Sequence, residues 1–481
     1  MTADEVNFLI RRYLQESGYQ HTAFMFGSEA MLDQTNFSNI DLPPQALITI
    51  LKKGMLYMQL EKGINERART EDSPENIIIS IIDAIKNKEP IRPPSRQAPK
   101  SRQSSQQSQH SAPQTQTLEI KPSSIISLRG HYGEVFCGSW SPDGQYFASG
   151  SSDATAIIWE FQNNHYQSHT VLDHASQQSR SDKDIAALCW NSTGTLLATG
   201  CFDGTSRIWT NHGELKFVLQ RHTDSIFTVQ FSPNDEYLAT GSSDTKVIIW
   251  QVSSGEIVQT FTHHTSRVTD ISWLDNKTFA TSSSDLKICV CNIGNQKPIF
   301  TLQGHTNDIN KICWDPTKRL LASCSDDTTI RIWRPYDRMM PILLQGHTDH
   351  VYSICWLPNN NNFNSNNGGN NNRIIASASF DFTIRIWDIQ NHSCVMCLNR
   401  HKAAVYTLSF SPNGKYLVSG GSDSKLCFWR MNDGNLVAEC TMSGGVFEAQ
   451  WNNSGNCVAA CLSDATVAII PDDVIKELDK K

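Results

Sequence analysis

The sequence predicts a mainly β fold, an eight-bladed propeller preceded by a small all-α region. Two observations predict it. An aspartate recurs six residues before the end of a strand-like run eight times, at Asp153, Asp203, Asp244, Asp285, Asp327, Asp381, Asp423 and Asp464. Six of these runs end in tryptophan (Trp159, Trp209, Trp250, Trp333, Trp387, Trp429) and the other two in Cys291 and Ile470. The ends are separated by 50, 41, 41, 42, 54, 42 and 41 residues. A period near 41 with this ending belongs to four-stranded propeller blades.

Each copy has the same internal order. In the first, His131 precedes a strand over Val135 to Trp140, a Pro142-Asp143-Gly144 turn, a strand over Tyr146 to Gly150, a turn over Ser151 to Ala154 and a strand over Thr155 to Trp159. The last copy supplies Val446 to Trp451, Cys457 to Leu462 and Thr466 to Ile470, and then lacks an outer strand. An open ring would expose unpaired backbone, so Ile125 to Leu128 is expected to complete the eighth blade. Two insertions lengthen the period. One, around Asn359 to Asn372, falls between the first and second strands of blade six; the other, His169 to Lys183, precedes the first strand of blade two and opens on the face that carries the His loops and Asp turns.

The propeller is placed at residues 118–475, with 476–481 as a tail. No apolar run approaches the ~20 residues that a membrane span needs, and Met1 to Val6 does not resemble a secretory signal. All fourteen cysteines lie between Cys137 and Cys461, mostly in strand-like runs, which suits reduced thiols in an intracellular protein. A net charge of -7 argues against a chain-wide nucleic-acid surface.

Residues 1–86 read as four short helices. Thr2 and Glu5 form a capping box, Val6, Leu9, Ile10, Tyr13 and Leu14 follow at helical spacing, and Gly18 stops the helix. Ala23, Phe24 and Phe26 mark a second helix; Pro43-Pro44 opens a third with Leu47, Leu51, Met55 and Met58; Ser73-Pro74 opens a fourth over Ile77 to Ile85. Below roughly 70–80 residues a lone core is marginal, so self-association is expected, with a cap docked on the propeller as the other reading. Residues 87–117, rich in Ser, Gln and Pro, are expected to be disordered. Lys88, Arg92, Arg96, Lys100 and Arg102 against Glu89 there read either as a nuclear-import signal or as solvating charge.

Five blades carry His, Ser or Thr, Asp and Trp in register: His131/Ser149/Asp153/Trp159, His222/Thr240/Asp244/Trp250, His305/Ser323/Asp327/Trp333, His347/Ser377/Asp381/Trp387 and His401/Ser419/Asp423/Trp429. The set resembles a hydrolase triad, but five parallel copies cannot share one cleft with oxyanion donors. A structural chain is expected instead, from indole to hydroxyl to imidazole to carboxylate. Blade two lacks an aligned His, blade four has Cys291 for Trp and blade eight keeps only Asp464, so these blades are expected to be softer. Cys394, Cys397, His392 and His401 lack a second matched pair, and zinc is not expected. Arg207, Arg331 and Arg385 in third strands are expected to brace blades.

Five residues after each aligned His, on the channel rim, stand Phe136, Phe227, Thr269, Asn310, Tyr352 and Tyr406, with Phe447 in blade eight. The residue before the turn aspartate adds Phe202, Asp326 and Phe380. Rim aromatics suit anchors for a protein partner; the competing reading has each of them packing between blades.

The run Leu9-Ile10-Arg11-Arg12-Tyr13-Leu14-Gln15-Glu16-Ser17-Gly18-Tyr19, followed by Ala23 and Phe26, resembles a LisH motif over residues 1–40. That resemblance assigns Leu9, Tyr13, Leu14, Tyr19 and Phe26 to formation of a dimer or tetramer. Residues 41–86 resemble an F-box-like segment. With the linker and eight WD40 blades, and local stretches at Asp4 to Gly18, Leu196 to Trp209, Leu321 to Trp333 and Ala376 to Trp387, the chain resembles the transducin-β-like family of corepressor subunits. The resemblance implies a nuclear, non-enzymatic scaffold, with the cytoplasm as a second location and no cofactor. It also implies a SMRT/N-CoR-type corepressor, a class I histone deacetylase, histones and ubiquitin-conjugating machinery as partners. Alternative readings are a ubiquitin-ligase substrate adaptor and a cytoskeletal or trafficking platform; the latter lacks a heptad repeat in 87–117.

Overall fold

The computed structural model describes residues 117–479, apart from 163–164, 175–182, 338 and 359–372. The LisH and F-box-like readings, the oligomerisation residues Leu9, Tyr13, Leu14, Tyr19 and Phe26, the linker up to 116 and the Asn-rich insert lie outside the described residues.

Eight antiparallel sheets follow one another around a ring. Their innermost strands are Val135–Trp140, Ile185–Trp190, Ile226–Phe231, Val268–Trp273, Ile309–Trp314, Val351–Trp356, Val405–Phe410 and Val446–Trp451. The last blade is closed as expected: Ile126–Arg129 pairs antiparallel with Thr466–Ile470 as its outer strand. Two features were not foreseen. Leu118–Glu119 adds a fifth strand, parallel, to the outside of blade seven, and a helix, Asp472–Leu478, runs across the boundary placed at 475 and buries Val474, Ile475 and Leu478.

The sheets are buried on both faces because each wedges between two neighbours. The second strand of blade one, Tyr146–Ser151, is buried at every position. In its third strand Ala156 and Ile158 face blade two, while Ile157 and Trp159 face blade eight. The alternation of a strand thus serves two cores at once. Each of the eight seams has its own apolar cluster.

Polar contacts stitch the same seams. The tryptophan that ends an innermost strand donates its indole N–H to a backbone carbonyl of the preceding blade: Trp140 to Gln450 at 3.2 Å, Trp190 to Ser139 at 3.0 Å, Trp273 to Gln230 at 3.1 Å, Trp314 to Ser272 at 3.1 Å and Trp356 to Cys313 at 3.0 Å. Phe231 and Phe410 cannot donate, and Trp451 at the seam between blades seven and eight has no partner for its indole nitrogen. Nearer the channel, Asp270 accepts the Ile312 N–H at 3.0 Å, Glu448 the Gly138 N–H at 3.2 Å and Thr407 the Ala449 N–H at 3.0 Å, each from the next blade.

Leu128 lies in the closing strand, 3% exposed, against blade one. Leu128→Asp is expected to cost about 3–5 kcal/mol through an unpaired buried charge, whereas Ser127→Asp, at an exposed position, should change stability by less than about 0.5 kcal/mol. Urea unfolding monitored by tryptophan fluorescence measures both, and equal effects would contradict the closure.

Candidate functional site

The five tetrads form as expected. In blade one the Trp159 indole donates to Ser149 Oγ at 2.8 Å, the hydroxyl meets His131 Nε2 at 2.8 Å, and His131 Nδ1 meets Asp153 at 3.2 Å. The corresponding distances in blades three, five, six and seven are 2.7–3.0 Å. With the proton on Nδ1, every group in the chain is satisfied. The hydroxyls of Ser149, Thr240, Ser323, Ser377 and Ser419 are fully buried, so they hold strands together. Burial works against the Asp327 carboxylate, but hydrogen bonds from His305, Thr329 and the Thr306 amide outweigh it and hold its pKa well below the usual range.

The aspartate also fixes a turn. The residue after it is left-handed in all eight blades: Ala154, Gly204, Thr245, Leu286, Thr328, Phe382, Ser424 and Ala465, with φ from 58° to 76°. Blade two alone uses glycine there, the residue that suits this conformation.

Blade two does have an aligned histidine, a correction to the sequence reading. His174 Nε2 meets Thr199 Oγ1 at 2.8 Å and the Trp209 indole donates to the same hydroxyl at 3.1 Å. It escapes a spacing rule because residues 175–184 separate it from the first strand of its blade, and His169–Asp173, read as insertion, belongs to the outer strand His165–Asp173. Burial, and then the Arg207 guanidinium, push His174 down to about 4, so it is neutral and its Nδ1 donates to the Leu172 carbonyl at 3.0 Å. Asp203 is left exposed. Blade four keeps His264 on Thr281 and Asp285, at 2.8 and 3.0 Å, without an indole. His401 is taken up by Ser419 and Asp423 and Cys394 lies 3.8 Å from Arg385; among the described residues no cluster of three metal-binding side chains is assembled.

The rim residues contributed by the innermost strands share one backbone cause. Every innermost strand changes register between its first and third residues. The residue between is a bulge: Phe136, Ala186, Phe227, Thr269, Asn310, Tyr352, Tyr406 and Phe447. A bulge re-aims its side chain off the pleat. Five predicted rings meet along an arc spanning blades six, seven, eight and one: Phe380 packs on Tyr352 (5.7 Å between centroids) and Tyr406 (5.6 Å), Tyr406 on Phe447 (6.0 Å) and Phe447 on Phe136 (5.6 Å). Tyr352 is 45% exposed. The rings therefore brace one another across seams and still present surface.

The other predicted rim residues stand apart from the arc. Phe202 is buried, so it supports Phe227 at 5.4 Å and adds little surface itself. Asn310 donates to Asp326 at 2.7 Å and to the Val351 carbonyl at 3.0 Å. Sequence reasoning missed His350, which stacks on Phe380 at 5.7 Å with Nδ1 3.4 Å from Asp326, and Arg267, which lies over Phe227 and reaches Asp308 at 3.1 Å. Comparing the residue just before each innermost strand would have found them. Phe382, half-exposed and left-handed beside Phe380, was missed too. Arg207, Arg331 and Arg385 are half-buried, each with one buried guanidinium nitrogen that has no hydrogen-bond partner.

Below the rim the channel holds Asp270, Lys311 and Glu448. Burial pushes Asp270 up to about 6 and Glu448 upward as well. Burial opposes the charge on Lys311, but Glu448 and Asp270 outweigh it and raise its pKa.

The model of the WD domain, G-beta repeat, matches 122–160, 169–210, 213–251, 255–292, 296–334, 341–388 and 392–430, and the LisH model matches 4–30. The F-box-like/WD repeat-containing protein TBL1X of Mus musculus is 37% identical, covering 98% of this chain and 99% of that protein. The Homo sapiens protein of the same name is 38% identical over 98% and 90%, and the WD40 repeat-containing protein HOS15 of Arabidopsis thaliana 33% identical over 74% and 59%. The crystal structure of the C-terminal WD40 domain of Sif2 superposes with a TM-score of 0.62 at 22% identity, over 72% of this chain and 97% of that one, a likeness of fold.

Two outcomes follow from the site chemistry. Ser323→Ala leaves the Trp333 indole and His305 Nε2 without their partner and is expected to cost about 2–4 kcal/mol, against about 0.5 kcal/mol or less for Asp464→Asn in blade eight; guanidinium unfolding compares them. Asp270 has a folded pKa above its unfolded value, so its ionisation removes stability as pH rises from about 4 through 6. Asp270→Asn keeps only one of the two oxygens that accept the Ile312 and Ile271 N–H groups, so its effect is read as a difference: relative to the unsubstituted chain it should be about 1–2 kcal/mol more favourable at pH 7.5 than at pH 4; melting curves at the two pH values read the difference, and an equal shift at both would reject it.

Proposed function

The chain belongs to the transducin-β-like family of F-box-like/WD repeat proteins, and on that premise we propose that it is a non-enzymatic scaffold of a nuclear corepressor complex containing a histone deacetylase. Its LisH segment joins copies through Leu9, Tyr13, Leu14, Tyr19 and Phe26. The F-box-like segment at 41–86 holds an SMRT/N-CoR-type corepressor, which brings a class I deacetylase. The propeller rim holds a chromatin-side protein such as a histone tail.

The observation that carries the reading is the aromatic arc, Phe380, Tyr352, Tyr406, Phe447 and Phe136, mutually braced and partly exposed. Rigid aromatics lose little entropy on binding and dominate interface energetics. Joining several such rims through one oligomer multiplies weak contacts, because the second encounter is intramolecular. The buried tetrads support a non-catalytic role, since their hydroxyls are committed to indole and imidazole. A second reading, an adaptor that recruits ubiquitin-conjugating machinery, rests on the F-box-like description of the relatives and uses the same rim for substrates.

Affinity capture from nuclear extract with the full chain is expected to recover corepressor and deacetylase activity. Tyr406→Ala with Phe447→Ala should weaken the rim partner at least about tenfold and leave the corepressor bound. Leu14→Asp should lower the mass of the full chain in light scattering to that of a monomer. Capture without a corepressor or deacetylase would overturn the scaffold reading, and recovery of a conjugating enzyme in their place would favour the adaptor.

A further inference from the structure

The third and fourth strands of a blade are joined at the end opposite the His loops. Blades two, three, six and seven make this join with four or five residues, whereas blade four uses seven, 293–299, and its neighbour blade five uses eight, 334–341. The two long joins are adjacent. They are also apolar at their tips, where the short joins carry polar residues and glycine: Pro298-Ile299 stands in blade four, and Pro335-Tyr336 and Met339-Met340-Pro341 in blade five. Tyr336 is 55% exposed and Met340 87%, and Met339, Ile299 and Leu343 are exposed with them.

These side chains lie at one seam. Phe300, which begins the outer strand of blade four, meets the Tyr336 ring of blade five edge-on at 5.2 Å between centroids, and it packs with Leu274 on the core cluster of that seam. Arg334 Nη1 lies 3.9 Å from Met339 Sδ. Lys318 Nζ donates to the Trp273 carbonyl at 3.0 Å and so links the inner turns of the two blades at the same end. A turn needs only polar residues, so large apolar side chains exposed together have no role in folding and mark an interaction surface.

The charge around the patch selects its occupant. Lys277, Lys297, Lys318, Arg319 and Arg334 stand at this end of blades four and five, and none of them forms an ion pair among the described residues. Of the carboxylates at the same end, Asp315 is buried and paired with Arg373 at 3.5 Å, Asp275 accepts the Lys277 and Thr278 amides, and Asp337 is exposed. In the flanking blades Asp235, Glu236, Glu256 and Asp388 accept from Ser192, Asn234, Ser254 and Asn391. The corner is therefore basic on a chain whose net charge is -7. Cations around apolar side chains complement a segment that carries both acidic and apolar residues, and methionine thioethers adapt to apolar partners of varied shape. Nucleic acid would meet the cations and leave the methionines uncovered.

We propose that this outer corner of blades four and five is a docking surface for an acidic amphipathic segment of a partner protein. Its aliphatic or aromatic side chains cover Ile299, Tyr336, Met339 and Met340, and its Asp and Glu residues meet Lys297, Arg319 and Arg334. The corner is on the face opposite the aromatic rim and does not rest on the role proposed for that rim.

The test pans a phage library of random peptides on the full chain, with depletion on the full chain carrying Tyr336→Ser and Met340→Ser. Enriched sequences are expected to interleave Asp or Glu with Leu, Ile or Phe. Their fluorescein-labelled consensus peptide should bind the wild-type chain at least about tenfold more tightly than that variant, and at least about tenfold more tightly than Lys297→Glu with Arg334→Glu. Its binding to Tyr406→Ala with Phe447→Ala should equal the wild type, which separates the corner from the rim. Both corner variants change exposed or half-exposed loop residues, and either one reads the outcome should the other fail to fold. No enrichment, enrichment of basic or uncharged sequences, or equal binding to the wild type and a folded corner variant would overturn the proposal. A labelled DNA duplex that binds more tightly than the consensus peptide and is lost with Lys297→Glu and Arg334→Glu would overturn it too, in favour of a nucleic-acid surface.

Discussion

A ring of sheets must end where it begins, and this constraint governs the structure. Each sheet is apolar on both faces and is stable only between two others, so the eighth seam cannot be left out. Its cluster is assembled from Leu128 and the last blade on one side and Val135, Phe147, Ile157 and Trp159 on the other. The last blade and the first are distant in the chain and adjacent in space. The closing strand supplies both a ladder partner for Thr466–Ile470 and the side chain that caps the core, which removes an edge that would otherwise seek another chain.

Within a blade, turn chemistry and ring closure meet at the tetrad. The aspartate receives the imidazole of the preceding loop and holds a left-handed turn, while the indole at the far end of the third strand reaches back to the same hydroxyl. Loop, second strand and third strand are thereby fixed to one another by hydrogen bonds that stay within the blade. The innermost strand is then free to bulge, and the bulge at its second residue turns Phe136, Tyr352, Tyr406 and Phe447 toward the rim. The partly exposed aromatic rim is thus a by-product of how each blade is locked.

Much of this was legible because it is local. A spacing of 22 residues from His131 to Asp153, repeated in His222/Asp244, His305/Asp327 and His401/Asp423, identifies the tetrads, and five residues from histidine to rim identify the bulge positions before the bulge itself is known. The same rule misses His174, because the insertion in blade two separates the histidine from its strand. It also assigns nothing to Trp140, Trp190, Trp273, Trp314 and Trp356, whose partners lie in the preceding blade. A pairing of two residues, Leu118–Glu119 on Ala438–Glu439, has too little length for any periodicity, and the helix Asp472–Leu478 has a single apolar stripe of Val474, Ile475 and Leu478 whose meaning depends on the cluster it packs against.

The seams are not equivalent, and the difference locates where the chain adds its extra elements. Most seams have an indole bridging to the preceding backbone; the seam between blades seven and eight has Trp451, stacked on Tyr416 at 6.5 Å and edge-on to Phe428 at 5.9 Å, with its N–H unpaired. A missing hydrogen bond at a buried donor costs about 1–3 kcal/mol. The added strand and the terminal helix both pack on the cluster of this seam, and Asp479 just past the helix receives Lys415 and the Tyr416 hydroxyl. Fully burying an aliphatic side chain is worth about 1.5–3 kcal/mol, so Ile120, Ile475 and Leu478 are sufficient to offset the unpaired indole. The seam with the unpaired indole is therefore held in part by elements that belong to no blade, the added strand and the terminal helix.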